Sequence, residues 1–237
     1  MATTGHTVKA FDEELDQLRA TVCEMGGLAE EAIRDSMLAL IRRDPDSAAE
    51  VVVRDKKIDD LEAEIERRAV QIIALRAPMA DDLRDVVAAL KIAGVVERIG
   101  DYAKNIAKRV ASIEDSRIRA MSLLPEMARI AGEMVHNALD AFAARDAAKA
   151  LGVVERDAAV DDFYNSIFRA LLTHMMENPH NITPATHLLF AAKNLERIGD
   201  HATNVAEMVY FAATGEHLAD RPKGADTTEI GADDLID

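Results

Sequence analysis

The chain is written twice. Glu97-Arg98-Ile99-Gly100-Asp101 recurs letter for letter as Glu196-Arg197-Ile198-Gly199-Asp200, 99 residues later. Upstream, Arg54-Asp55 with Asp59-Asp60 recurs as Arg156-Asp157 with Asp161-Asp162, and Arg43-Asp44 recurs as Arg145-Asp146, both 102 residues later. Three features in the same order at nearly one spacing indicate tandem duplication. Whatever one copy folds into, the other is expected to fold into as well.

Each copy reads as helix. The chain is rich in Ala, Leu, Glu, Arg and Met, only 4% aromatic, and has no strand-like alternation of useful length. Prolines punctuate it at Asp44-Pro45, Ala77-Pro78, Asn178-Pro179 and Thr183-Pro184, with Thr183 a candidate cap. The expected helices are about 9–43, 47–76, 80–114, 117–145, 147–177 and 184–213. Pro125 fits a first helical turn and moves the fourth start toward Leu123. In the first helix Leu15, Leu18, Val22, Met25, Ala29, Ala32, Ser36 and Leu40 make a core stripe. The fold expected is all-α, two tandem three-helix bundles of long antiparallel helices in a pseudo-two-fold repeat. The repeats span 9–115 and 116–215, and an acidic, disordered tail spans 216–237. The tail holds seven acids and two bases.

The net charge of −15 opposes nucleic-acid binding and docking on an anionic membrane, and no apolar run is long enough to span a bilayer. A single cysteine, Cys23, excludes a disulfide framework and a cysteine-rich metal site. The N-terminus has no apolar signal core, so a cytoplasmic protein is expected.

The duplicated residues are mainly carboxylates four apart: Asp55/Asp59, Glu97/Asp101, Asp157/Asp161 and Glu196/Asp200. Each pair shares one helix face, about 6 Å apart along the axis, where like charges destabilise a helix by a few tenths of a kcal/mol. Folding at the prolines brings the pairs level. Residues 59 and 97, and 55 and 101, both centre on Pro78; 161 and 196, and 157 and 200, both centre beside Pro179. In an antiparallel hairpin, residues equidistant from the turn share a height. Spacing alone does not fix how the faces are rotated. The run Leu83, Val87, Leu90, Gly94 leading into Glu97, Asp101 and Asn105 suggests that the acids continue an apolar stripe, and Leu189 leads in the same way to Glu196, Asp200 and Asn204. Gly100 and Gly199, each costing about 1 kcal/mol mid-helix, hint at close helix approach beside the acids.

Four carboxylates in one patch must either protonate or be neutralised by cations. Oxygen-only ligation suits magnesium, manganese, calcium or iron, with zinc possible. Asn105 and Asn204 are possible additional ligands. The bland alternative is a solvated face in which Arg98 and Arg197 pair with the acids. Glu133-x-x-His136 is half of a di-iron motif with no counterpart in the first copy, and Met121, Met127, Met134, Met175 and Met176 read as core filler. No nucleophile motif or phosphate-cradling loop appears. The alternatives to a metal-binding adaptor are a metal-dependent helical hydrolase or oxidase and a metal-free structural scaffold.

Two three-helix units, each with paired acids on the second and third helices and Glu-Arg-Ile-Gly-Asp followed by Asn at 105 or 204, resemble the PhoU family of phosphate-transport regulators over about 9–213. The resemblance implies a pair of three-helix bundles, often homodimeric; the duplicated acids without any catalytic apparatus make a non-enzymatic adaptor the expectation. The resemblance also implies binding of multinuclear iron, zinc or other divalent metals through the paired acids. It further implies negative regulation of phosphate uptake and the phosphate-starvation response. Such proteins are expected to link a phosphate ABC transporter ATPase to a membrane sensor histidine kinase.

Overall fold

The computed structural model describes residues 3–113 and 122–218, and side chains from residue 9 onward. Six long helices run in chain order: α1 (Thr3–Arg42), α2 (Pro45–Arg76), α3 (Asp81–Lys108), α4 (Leu124–Ala144), α5 (Ala147–Glu177) and α6 (Ile182–Thr214). The expected tail and Met121 lie outside the described residues, apart from Glu216–Leu218. No described helix is long and apolar enough to cross a membrane.

The duplicated Arg-Asp dipeptides are turns. Arg43 and Arg145 both take the left-handed conformation, each with φ of 54°. The following aspartate then caps the next helix: Asp44 accepts from the amides of Asp46 and Ser47 at 3.1 Å, and Asp146 from Lys149 at 3.0 Å. A side-chain oxygen satisfying first-turn amides is what fixes such a start. α3 ends at Lys108, short of the expected 114, and passes into a 3-10 turn at Val110–Ser112. α4 starts at Leu124, with Pro125 in its first turn. α6 starts at Ile182 after a 3-10 turn, so Asn181 rather than Thr183 holds the cap position.

Within each repeat the three helices pack on one another, and across the repeats α3 packs on α6 and α1 on α4. The apolar interior is therefore one continuous core. Of the α1 stripe, Leu15, Leu18, Val22, Met25, Ala29, Ser36 and Leu40 are buried, while Ala32 is half-buried. Met127 and Met134 are fully buried, whereas Met176 is 81% exposed and fills no core. Gly26 lets α1 approach α4: a Cβ there would lie 2.3 Å from Leu139 Cδ1. Buried Asp85 on α3 binds Arg19 of α1 and, at 2.6 Å, Arg145 of the α4–α5 turn, which ties the repeats together. A buried carboxylate held by two guanidiniums is a costly group to strand.

The α3–α6 seam holds the pseudo-symmetry. Tyr102 and His201 occupy equivalent positions and touch edge to face. Arg197 lies 5.7 Å from the Tyr102 ring centre. The helices are antiparallel here, since Arg109 near the end of α3 reaches His187 and Phe190 early in α6.

Candidate functional site

Both hairpins keep the expected register, and the repeated glycines set their spacing. A Cβ on Gly100 would lie 2.8 Å from Ile58 Cδ1 and 3.4 Å from Asp55 Oδ1. One on Gly199 would lie 3.3 Å from Val160 Cγ1, and Val160 stands where Ile58 stands in the first copy. The helices thus close over the glycines, and the acids stand beside this contact.

In the first repeat the four acids come together electrostatically. Glu97 is pushed up to about 7, first by burial and then by Asp101, Glu62, Asp59 and Asp55. Asp59 is raised too, by burial and then by Asp55, with Lys104 opposing. Asp55 is buried and holds Lys104, whose ammonium also reaches Asp101. Sequence reasoning missed two members of this patch, Glu62 and Lys104. Their signal was present at helical spacing: Glu62 follows Asp59 by three residues, and Lys104 follows Asp101 by three.

The second repeat has the same acids with different companions. Glu196 is raised by burial, with Asp200 and Asp161 pushing the same way and Lys193 opposing. Lys193 donates to Glu196 Oε1 at 2.9 Å and lies 5.0 Å from the centre of the Tyr164 ring. Glu196 Oε2 is buried with no hydrogen-bond partner, and so is Thr203 Oγ1. Tyr164 replaces Glu62, Lys193 replaces Gly94, and Thr203 replaces Lys104. Each patch therefore has one lysine, delivered from opposite ends of the motif. Asp157, Asp161 and Asp200 are half-buried.

Two expectations about orientation need revision. The run Leu83, Val87, Leu90, Gly94 is not the core stripe: Leu83 is 38% exposed, and Val87, Leu90 and Gly94 are half-buried. The buried stripe is Val86, Ala89, Ala93, Val96, Ile99 and Ala103, so the acids lie on the flank of the core. Arg98 and Arg197 are exposed, Arg98 opposing the upward shift of the Glu62 carboxyl from the rim, while the cations that pair directly with the patch acids are Lys104 and Lys193. Asn105 is half-buried, while Asn204 is exposed and lines the α3–α6 groove. His136 pairs with Glu30 at 3.2 Å, and Glu133 with Arg129 and Arg156, which makes that half-motif an ion-pair surface.

The donors are all hard oxygens, the type that suits multivalent cations. Among the described residues, no three Asp, Glu, His or Cys side chains are arranged around one ion-sized point. In the first patch Lys104 neutralises Asp55 and Asp101 directly. In the second, an orphaned carboxylate oxygen is available. Leaving such an atom buried costs about 1–3 kcal/mol or more, which is the ordinary signature of a missing partner.

The PhoU domain matches residues 22–110 and 124–209, one match per repeat. A Zymomonas mobilis protein described as a phosphate-specific transport system accessory protein PhoU homolog is 58% identical over 223 residues, covering 94% of each chain. The Caulobacter vibrioides protein of the same description is 51% identical over 93% of this chain and 97% of its own. Crystal structures of PhoU from Pseudomonas aeruginosa and of the phosphate transport system regulatory protein PhoU from Streptococcus pneumoniae superpose with TM-scores of 0.84 and 0.83. Their identities are 38% and 27%, covering 87% and 88% of this chain and 100% and 99% of theirs. With the domain matched in both repeats and identity this high over nearly the full length, the chain belongs to the PhoU family.

Proposed function

We propose that this chain is a negative regulator of phosphate uptake and of the phosphate-starvation response, acting in the cytoplasm as an adaptor between a phosphate ABC transporter ATPase and a sensor histidine kinase. Relatives described as phosphate-specific transport accessory proteins support the transport setting. Family membership makes the role regulatory rather than enzymatic. A homodimer is part of this reading, as the family resemblance implies.

In the same reading, the acidic patches bind metal ions that rigidify the surface offered to a partner. The observation that carries it is buried Glu196 Oε2, orphaned among Asp161 and Asp200. The second-repeat ligands would be Asp157, Asp161, Glu196 and Asp200. In the first repeat Asp55, Asp59, Glu97 and Asp101 would serve once Lys104 swings aside. Such an ion supplies positive charge that lets all four carboxylates ionise together.

Affinity capture with purified transporter ATPase and with the kinase's cytoplasmic portion tests the adaptor role. Retention of either, weakened by Glu196→Gln plus Asp200→Asn, supports it. Retention of neither contradicts it.

A further inference from the structure

The pseudo-symmetric α3–α6 seam has two ends, and only one is filled. At the first, Arg109 of α3 lays its guanidinium 4.4 Å from the Phe190 ring centre and approaches His187 Nδ1 at 3.5 Å. At the other, the equivalents of Arg109, Phe190 and His187 are Met208, Lys91 and Ala88. These shorter or differently shaped groups leave a groove of about 360 Å³, walled by Arg84, Val87, Ala88 and Lys91 on α3 and by Met208 and Phe211 on α6.

The chain leaves α6 at this groove and turns into it. Gly215 takes the left-handed conformation, with φ of 79°, and packs 3.5 Å from Arg84 Cζ as measured from an added Cβ. His217 then stacks on Phe211, ring centres 4.2 Å apart and planes within 12°, and itself lines the groove. Leu218 packs against the core. His217 and Leu218 thus lie against α6 and the core at the mouth of the groove. Beyond it lie 19 residues, 219–237, with six acids, two bases and the apolar Ile230, Leu235 and Ile236. Seven helical residues separate Arg84 from Lys91, a span of about 10 Å. An extended chain crosses that in three or four residues.

We propose that this groove is the docking site of the chain's own acidic C-terminal segment, residues 219–237. Val87, Ala88, Met208 and Phe211 take its apolar side chains. Lys91 faces its carboxylates, as does the part of the Arg84 guanidinium left open by its 2.5 Å pair with Asp81. This goes beyond the regulatory reading and does not depend on it.

The test is the methyl spectrum of Met208 in protein carrying labelled methionine. The full chain is compared with a chain ending at Leu218 and with full-length Lys91→Glu. Truncation is expected to shift Met208 while the other described methionines stay in place. Lys91→Glu, or about 0.5 M salt, is expected to move the full chain toward the truncated position, because screening weakens the exposed charge pairs. Adding a synthetic 219–237 peptide to the truncated chain should restore the original shift. Superimposable Met208 signals in the full and truncated chains would overturn the proposal. So would a shift that depends on protein concentration, which would assign the groove to the tail of a second copy.

Discussion

The Tyr102 and His201 rings hold the same place in the two repeats and meet edge to face, centroids 5.2 Å apart and planes at 78°. A contact between equivalent residues means that the pseudo-two-fold axis passes between them. It makes α3 and α6, the helices that carry the Glu-Arg-Ile-Gly-Asp motifs, the joint of the molecule.

That joint is expected to be pH-sensitive. Burial pushes the His201 imidazolium below its usual range, helped by Arg98 and Arg197, while its hydrogen bond to the Arg197 carbonyl and the Asp200 charge oppose. The unfolded chain then binds a proton that the folded chain resists, so stability falls as pH drops through about 6.5. His201→Tyr, which copies its Tyr102 partner, is expected to remove that component. Denaturant unfolding of parent and variant between pH 5 and 8 checks it. The variant should gain relative stability on the acid side, and parallel profiles would contradict the prediction.

Glu97 acts with the opposite sign. Its folded value near 7 exceeds the ordinary carboxylate value of 4.5, so its contribution is complete below 4.5 and is lost as pH rises toward 7. In chelator, Glu97→Gln is expected to flatten this loss and to be more stable than the parent at pH 8. The difference should be about 1 kcal/mol after allowing for solvent screening. Unfolding curves at pH 4.5 and 8 measure it, and an unchanged slope would contradict it.

Lys104 is the built-in counter-ion of the first patch. Lys104→Met leaves buried Asp55 unpaired beside Asp59 and Asp101, and is expected to cost about 3 kcal/mol in chelator. Added manganese should recover more stability in the variant than in the parent, because binding only the folded state stabilises it. Thermal melts with and without the ion decide this. Equal recovery would separate Lys104 from cation binding.

The repeated glycines are steric, not incidental. Gly100→Val is expected to cost about 2 kcal/mol by forcing α3 away from Ile58. Gly152→Ala, where an added Cβ meets nothing within 4 Å, is expected to gain up to about 1 kcal/mol. Equilibrium unfolding of the two variants should show opposite signs.

Much of this architecture was legible before any coordinates, and the reason is chemical. Arg43-Asp44 and Arg145-Asp146 encode a left-handed turn and a helix cap, so their recurrence marks two hairpins. Equal distances from Pro78, and from the point between Asn178 and Pro179, set which acids were expected to share a height, and Gly100 and Gly199 marked the close contact. Rotation about the helix axes was not legible. Leu83 and Val87 mimic a core stripe, but α1 and α6 pack on the neighbouring Val86–Ala93 face and leave the acids on its flank. Lys104 was legible as a neighbour of Asp101, but not its reach to Asp55, which lies 49 residues away on another helix.

Metal content is the most direct test of the claim that these level carboxylates form cation sites. Protein purified after equilibration with iron, zinc and manganese, then desalted, is assayed by elemental analysis beside Asp101→Ala plus Asp200→Ala. The parent should retain bound metal at a fixed ratio to protein, and the double variant should retain far less. Equal metal in both would remove the metal reading and leave two acidic faces neutralised by their own lysines.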